Sequence, residues 1–252
     1  MRISLARTSP SASLKIRSMP IFRLGDDIIF PPVHLTSKNG ILAVGGDLSP
    51  GRLLAAYRQG IFPWYSEGDP IIWWCPDPRF VLFLDELRVS RSMMKVLRHG
   101  TFRITYDHDF RNVVLSCQKS RRKQDGTWIT DEMLEAYCVL HELGFAHSAE
   151  AWHGETLVGG IYGISIGRCF FGESMFSFMS NASKAALVSL VRKLEGLKFE
   201  FLDCQVHTAH LESLGARFIP REEFVGLLAR GLTHESLRGN WKMMSEFAAS
   251  PA

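Results

Sequence analysis

Residues 199–210, FEFLDCQVHTAH, begin as an apolar strand and end in polar side chains where the core should stop. Strand side chains alternate, so Asp203 and Gln205, at i and i+2, are predicted to share one face. A carboxylate beside an amide can orient a nucleophilic amine and accept its proton, directly or through the amide. The same pair also fits a strand end bonded to neighbouring backbone, and spacing alone leaves both readings open. Cys204, His207 and His210 offer metal-ligand types. However, C-x-x-H-x-x-H is not a common zinc spacing and Cys204 is predicted on the opposite face, so no metal site is expected.

Glu173 is the other acid in an apolar setting, within FFGESMFSFMSNASK at residues 170–184. A buried carboxylate is costly unless it meets a cation or several donors. It is therefore either a paired core acid or the recognition site for a basic ligand. Met175, Phe176, Phe178 and Met179 around it read as core or pocket wall.

The tryptophans and the charge distribution point to a second partner. Trp64, Trp73, Trp74 and Trp128 lie in stretches rich in proline and glycine. Trp73 and Trp74 suit a core plug, whereas Trp64 and Trp128 each follow a turn and could stack a base, worth about 1–3 kcal/mol per base. The net charge of +3 hides a polarised distribution, because Arg88 to Lys123 carries ten basic residues against Asp107 and Asp109. A basic segment on an otherwise acidic chain is an electrostatic footprint for a polyanion. Arg91, Lys95 and Arg98 recur at i, i+4 and i+7, giving one helix face either to phosphates or simply to solvent.

The elements that must position these residues are legible in outline. Ser49-Pro50 opens a helix that Gly60 closes, and Ser90 caps one that runs to Gly100. A third helix is predicted over about 107–118, and Thr130 caps a fourth through Leu143. The intervening GIFPWYSEGDPIIWWCPDPRF reads as a shaped loop with a short strand at Ile71 to Trp74. HSAEAW, ETLVGGIYGISI and RCFFGE are three successive strands turning at HG and GR. A helix over about 181–194, the strand at 199, a short helix to Gly215 and one opened by Pro220 follow. This order predicts an α+β (α/β) chain. Residues 21–125 form an N-terminal domain carrying the basic helix and 126–235 a second domain, with a tail over 236–252. VGGIYGISIG is not a phosphate loop, because no helix follows it; its glycines suit close strand packing.

Residues 1–20 read as a disordered leader or a segment ahead of a start at Met19, with an organelle transit peptide as the alternative. No apolar run approaches the roughly 18 residues of a membrane span, so no membrane partner is expected. The five cysteines are widely spaced without a C-x-x-C pair, which suits reduced thiols in a cytoplasmic protein. A monomer is the default.

Taken in order, NGILAVGGDLSPGRLLAAYRQGIFPWY, WWCPDPR, DGTWIT, LVGGIYG, FGESMFS, NASK and DCQV resemble the bacterial leucyl/phenylalanyl-tRNA–protein transferases over about residues 28–230. The resemblance implies transfer of Leu, Phe and less readily Met from aminoacyl-tRNA to the N-terminal Arg or Lys of proteins, marking them for degradation under the N-end rule. It implies an acetyltransferase (GNAT)-like catalytic domain, with the smaller N-terminal α/β domain completing the site, and no cofactor. By resemblance, Asp203 and Gln205 are the catalytic pair that holds the acceptor amine and draws off its proton, and Glu173 meets the basic N-terminus. Trp64, Trp128 and Tyr57 would hold the terminal adenosine. Ile161, Phe170, Gly172, Met175, Leu187, Leu190 and Leu202 would wall the aminoacyl pocket. Two other readings compete: an acyl-CoA-dependent GNAT enzyme, whose R/Q-x-x-G-x-G/A loop is not found here, and a non-catalytic tRNA-binding module.

Overall fold

The computed structural model describes residues 21–122 and 129–242; the expected leader over 1–20 lies outside them. In chain order the elements are β1 (Phe22–Leu24), β2 (Ile41–Gly45), α1 (Pro50–Tyr57), β3 (Phe62–Pro63), β4 (Ile72–Trp74), β5 (Arg79–Leu82), α2 (Arg91–Arg98), β6 (Arg103–Tyr106), α3 (Phe110–Arg122) and α4 (Asp131–Glu142). There follow β7 (Ala146–His153), β8 (Thr156–Ile166), β9 (Cys169–Ser177), α5 (Ala182–Gly196), β10 (Phe201–Gln205), α6 (Ala209–Ser213), β11 (Arg217–Ile219) and α7 (Arg221–Gly231). Helix starts fall where hydroxyl caps predict them. Ser49, Ser90 and Thr130 accept from the backbone N–H three residues on, at 3.4, 3.2 and 3.2 Å.

Among the described residues the strands form two sheets. One has the order β1-β2-β4-β3, which leaves Pro63 on an edge strand where its missing N–H costs nothing. The other has the order β11-β5-β10-β9-β8-β7-β6. Within it only β9 and β10 run parallel, and α5 makes the crossover between them. Apolar residues of α5 pack on one face of this sheet with Phe170, Leu202 and Ala149, while Phe171, Phe201 and Tyr162 on the other face pack with α3, α4 and α7. The glycines of β8 allow the close approach expected of them. A Cβ at Gly159 would meet the Cβ of Ala182 at 2.6 Å, and one at Gly163 would collide with the Phe171 carbonyl oxygen.

The large sheet draws strands from both sides of the boundary expected near residue 125, because β5 and β6 pair with β10 and β7. Strand pairing is set by partners far away in sequence, which a local reading does not reach. The tail expected from 236 packs on the sheet core over its described part. Trp241 is buried, its ring stacks on His147 at 3.8 Å, and its backbone N–H donates to Asp107 Oδ2 at 2.7 Å.

Candidate active site

Both polar centres predicted from the sequence sit at β-bulges. Along β9, Gly172 pairs with Gly163 and Ser174 with Tyr162, so Glu173 is an extra residue in the ladder. Along β10, Asp203 pairs with Val81 and Gln205 with Phe80, so Cys204 is extra. A bulge re-aims the side chains around it. Glu173 is buried among donors: Oε1 accepts from the Tyr57 hydroxyl and from Gln205 Nε2, each at 2.8 Å, and Oε2 accepts from the Tyr137 hydroxyl at 2.7 Å. Burial pushes its pKa up to about 7; the Tyr137, Tyr57 and Gln205 hydrogen bonds pull the other way, and the Asp203 charge adds to the rise.

Asp203 has a different environment. Its Oδ1 and Oδ2 accept from Arg79 Nε and Nη2 at 2.9 and 2.6 Å, a bidentate pair in which both side chains are almost fully buried. The guanidinium lies over the Phe62 and Phe224 rings at 4.8 and 4.5 Å. Burial pulls the Arg79 pKa down, but the charge and hydrogen bonds of Asp203 more than offset it, so the guanidinium stays charged. Asp203 Oδ1 also accepts the Gln205 N–H at 2.9 Å. Gln205 has φ +62, a left-handed conformation that a non-glycine residue adopts only when held there.

Beside this network opens a cavity of about 310 Å³. Its apolar floor is Ile161 from β8, Met175 from β9 and Leu202 from β10, with Gly172 between them. Phe62, Pro63 and Trp64 from β3 and the segment after it also line it, as do Val206, Thr208, His210 and Leu211 from the β10 exit and α6. Glu173, Gln205, Cys204 and Ser174 supply the polar lining, and Asp203 is not part of the wall. Burial, aided by Lys184, lowers the pKa of His210, which favours a neutral imidazole. Burial raises the Cys204 thiol first of all, so it stays protonated and is no ready nucleophile. The arrangement is an apolar socket ending on one acid and one amide.

The model of the family described as leucyl/phenylalanyl-tRNA protein transferase matches residues 81–229, and that of its N-terminal domain matches 46–77. The leucyl/phenylalanyl-tRNA–protein transferase of Syntrophus aciditrophicus is 59% identical over 91% of this chain and 97% of its own length. This chain belongs to the leucyl/phenylalanyl-tRNA protein transferase family. The Nitrosospira multiformis transferase of the same name is 61% identical over 80% of this chain and 88% of its own. Among solved structures, the C-terminal domain of a putative lysylphosphatidylglycerol synthetase from Agrobacterium fabrum overlays 75% of this chain and 58% of its own. With 12% identity and a TM-score of 0.34, that overlay carries no argument.

Within this family member, Glu173, Gln205, Trp64, Ile161, Gly172, Met175 and Leu202 meet at one cavity. Trp64 is 40% exposed at the rim and leans on Trp74 at 5.5 Å. Phe170, Leu187 and Leu190 are not in the wall; they lie one layer beneath, in the core shared with α5. Asp203 and Gln205 do not share an open face as alternation predicts, because the bulge at Cys204 and the left-handed Gln205 break the alternation. Tyr57 is buried against Glu173 rather than presented on a surface, since α1 turns its polar tip inward. Arg91, Lys95 and Arg98 are exposed on α2, and Trp128 lies outside the described residues. Among the described residues no three His, Cys, Asp or Glu side chains are placed to hold a metal. His207 instead pairs with Glu212 at 3.0 Å.

Arg79 and Tyr137 were missed. Arg79 opens the apolar stretch RFVLF, and a lone cation in a buried strand implies a buried acid. Tyr137 lies on the buried stripe of α4 four residues after Met133, where a hydroxyl needs a partner. His210, weighed from the sequence only as a metal-ligand type, instead lines the cavity.

Proposed function

We propose that the cavity is the aminoacyl site, taking the Leu, Phe or Met side chain of an aminoacyl-tRNA and presenting its ester to the N-terminal amine of a protein that begins with Arg or Lys. The observation that carries this reading is an apolar socket floored by Ile161, Met175 and Leu202 and closed by Glu173 and Gln205. Its volume is at the small end of the roughly 300–1,000 Å³ of ligand pockets, enough for an aminoacyl group and not for a nucleic acid. The rest of the tRNA would lie outside, with Trp64 and Trp128 against the terminal adenosine and Arg91, Lys95 and Arg98 on backbone phosphates.

An aminoacyl ester is already activated, so the site needs chiefly proximity and one proton acceptor. Apolar walls discriminate coarsely, at about 1–3 kcal/mol per methylene, which fits tolerance of Leu, Phe and Met. Arg79 and Asp203 support the site from beneath by fixing the backbone of Gln205. The catalytic domain is GNAT-like in this reading, which the parallel β9–β10 pair, with the site at its carboxyl end, supports. The protein then acts as a cytoplasmic monomer whose product is destined for N-end rule degradation. No helix among the described residues is long and apolar enough to cross a membrane.

The test is transfer of labelled leucine from charged tRNA to a peptide beginning with Arg and to one beginning with Ala. Transfer to the Arg peptide alone is expected. Retained tRNA binding with transfer to neither peptide would instead make the protein a tRNA-binding module.

A further inference from the structure

The acceptor's α-amino group arrives largely as an ammonium, with an ordinary pKa of about 7.7–8.0, and must lose a proton before it can attack. Four side chains lie close enough to matter: Asp203, Gln205, Glu173 and His210. Asp203 is outside the cavity wall, and its oxygens are taken by Arg79 and by the Gln205 N–H. Gln205 reaches the wall but already donates to Glu173, and an amide is a far weaker base than a carboxylate. His210 Nε2, from α6, is buried without a hydrogen-bond partner among the described residues, and burial makes the imidazole a weaker base than an ordinary one, whereas burial makes Glu173 a stronger one. Glu173 is the one carboxylate in the cavity wall, and its three donors fill three of roughly four acceptor positions.

Resting on the transferase reading above, we infer that Glu173 takes the proton from the acceptor's α-ammonium, and that Asp203 is a positioning residue that acts through Gln205. The ammonium gives one proton to the Glu173 carboxylate. The freed lone pair forms the C–N bond at the ester carbonyl carbon while the carbonyl electrons move onto oxygen. Collapse re-forms the C=O bond and breaks the bond to the tRNA ribose oxygen. That oxygen takes the second proton from nitrogen, and Glu173 later releases the first to solvent. The products are an amide and a free ribose hydroxyl.

The charged and titratable groups facing Glu173 are Tyr57 from α1, Tyr137 from α4, and Asp203 and Arg79 from β10 and β5. Both tyrosines are pushed well above their ordinary range, by burial first and then by the Glu173 charge, so they remain donors. With its own pKa raised to about 7, Glu173 exchanges a proton with an α-ammonium at little cost. An ordinary solvated glutamate, near 4.3, would be too weak a base.

The experiment is single-turnover transfer from saturating Leu-tRNA to the Arg peptide across pH 6 to 9.5, with spontaneous ester hydrolysis subtracted. The variants are Glu173→Gln, Tyr137→Phe and Asp203→Asn. Glu173→Gln is expected to lower kcat at pH 7 by about 10²–10⁴-fold, with a smaller change in the peptide's KM, and the deficit should narrow as the amine deprotonates unaided. Tyr137→Phe removes a donor that favours ionised Glu173, so the acid limb of the profile should move to higher pH; this variant serves if Glu173→Gln does not fold. Asp203→Asn should slow transfer by loosening Gln205 and, because it removes a negative charge that raises Glu173, should move that limb only to lower pH, opposite to Tyr137→Phe. A Glu173→Gln enzyme with raised peptide KM, intact kcat and a parallel pH profile would make Glu173 a recognition acid only and overturn the inference. Failure of the wild type to use the Arg peptide would overturn the reading beneath it.

Discussion

Replacing Arg79 by methionine isolates what the buried pair with Asp203 contributes. Methionine keeps most of the stem between Phe62 and Phe224 and deletes the guanidinium that lies 4.8 and 4.5 Å from those rings. The variant then holds a carboxylate with no solvent exposure and no cation, since both contacts at 2.9 and 2.6 Å are gone. Breaking one side of such a pair costs about 3–5 kcal/mol, most of it the uncompensated charge. For a chain of this size 1 kcal/mol shifts Tm by roughly 2–4 °C, so a drop of about 6–20 °C is expected by calorimetry. Adding Asp203→Asn removes the charge while keeping an oxygen for the Gln205 N–H. The double variant Arg79→Met/Asp203→Asn should therefore recover most of the loss. A single variant within about 1 kcal/mol of wild type, the range of an exposed pair, would refute the reasoning.

Glu173 makes stability depend on pH in the direction opposite to an ordinary paired acid. Its folded pKa, about 7, lies above the ordinary glutamate value of 4.5, so its favourable contribution is complete below about pH 4.5 and is lost as pH rises through 7. Wild type measured against Glu173→Gln should lose about 3 kcal/mol of relative stability between pH 4.5 and 8, and a pH-independent difference would show that Glu173 is not desolvated. Arg91→Ala with Lys95→Ala should weaken tRNA binding and reduce its salt slope by about 1.5–2, whereas an unchanged slope would mean that this face of α2 only meets water. Trp241→Ala should cost about 3–5 kcal/mol in urea unfolding, because a fully buried indole stacked on His147 is removed; a neutral effect would show that the segment after α7 adds nothing to the core.

Local rules made some of the fold legible and long-range pairing hid the rest. The three strands at 146–177 announce themselves by β-rich runs punctuated at His153-Gly154 and Gly167-Arg168, and three helix starts by Ser49, Ser90 and Thr130. That Arg79–Leu82 joins the large sheet beside β10 depends on a partner more than a hundred residues away, which no local pattern encodes. The chemistry of the site was legible by residue type, as an acid in an apolar run and a carboxylate near an amide. Its geometry was not. Alternation placed Asp203 and Gln205 together in the open, whereas the bulges bring Gln205 to Glu173 and leave Asp203 behind with Arg79. Burial also turned Tyr57 from an expected surface aromatic into a donor to Glu173.

The central claim is that the cavity beside Glu173 and Gln205 receives the aminoacyl end of tRNA. The most direct test is a crystal structure with adenosine carrying phenylalanine through a 3′-amide, a stable stand-in for the reactive ester. The phenyl ring is expected against Ile161, Met175 and Leu202, with the amide carbonyl next to Gln205 and Glu173. Density for the ligand elsewhere on the protein, with this cavity empty, would contradict it.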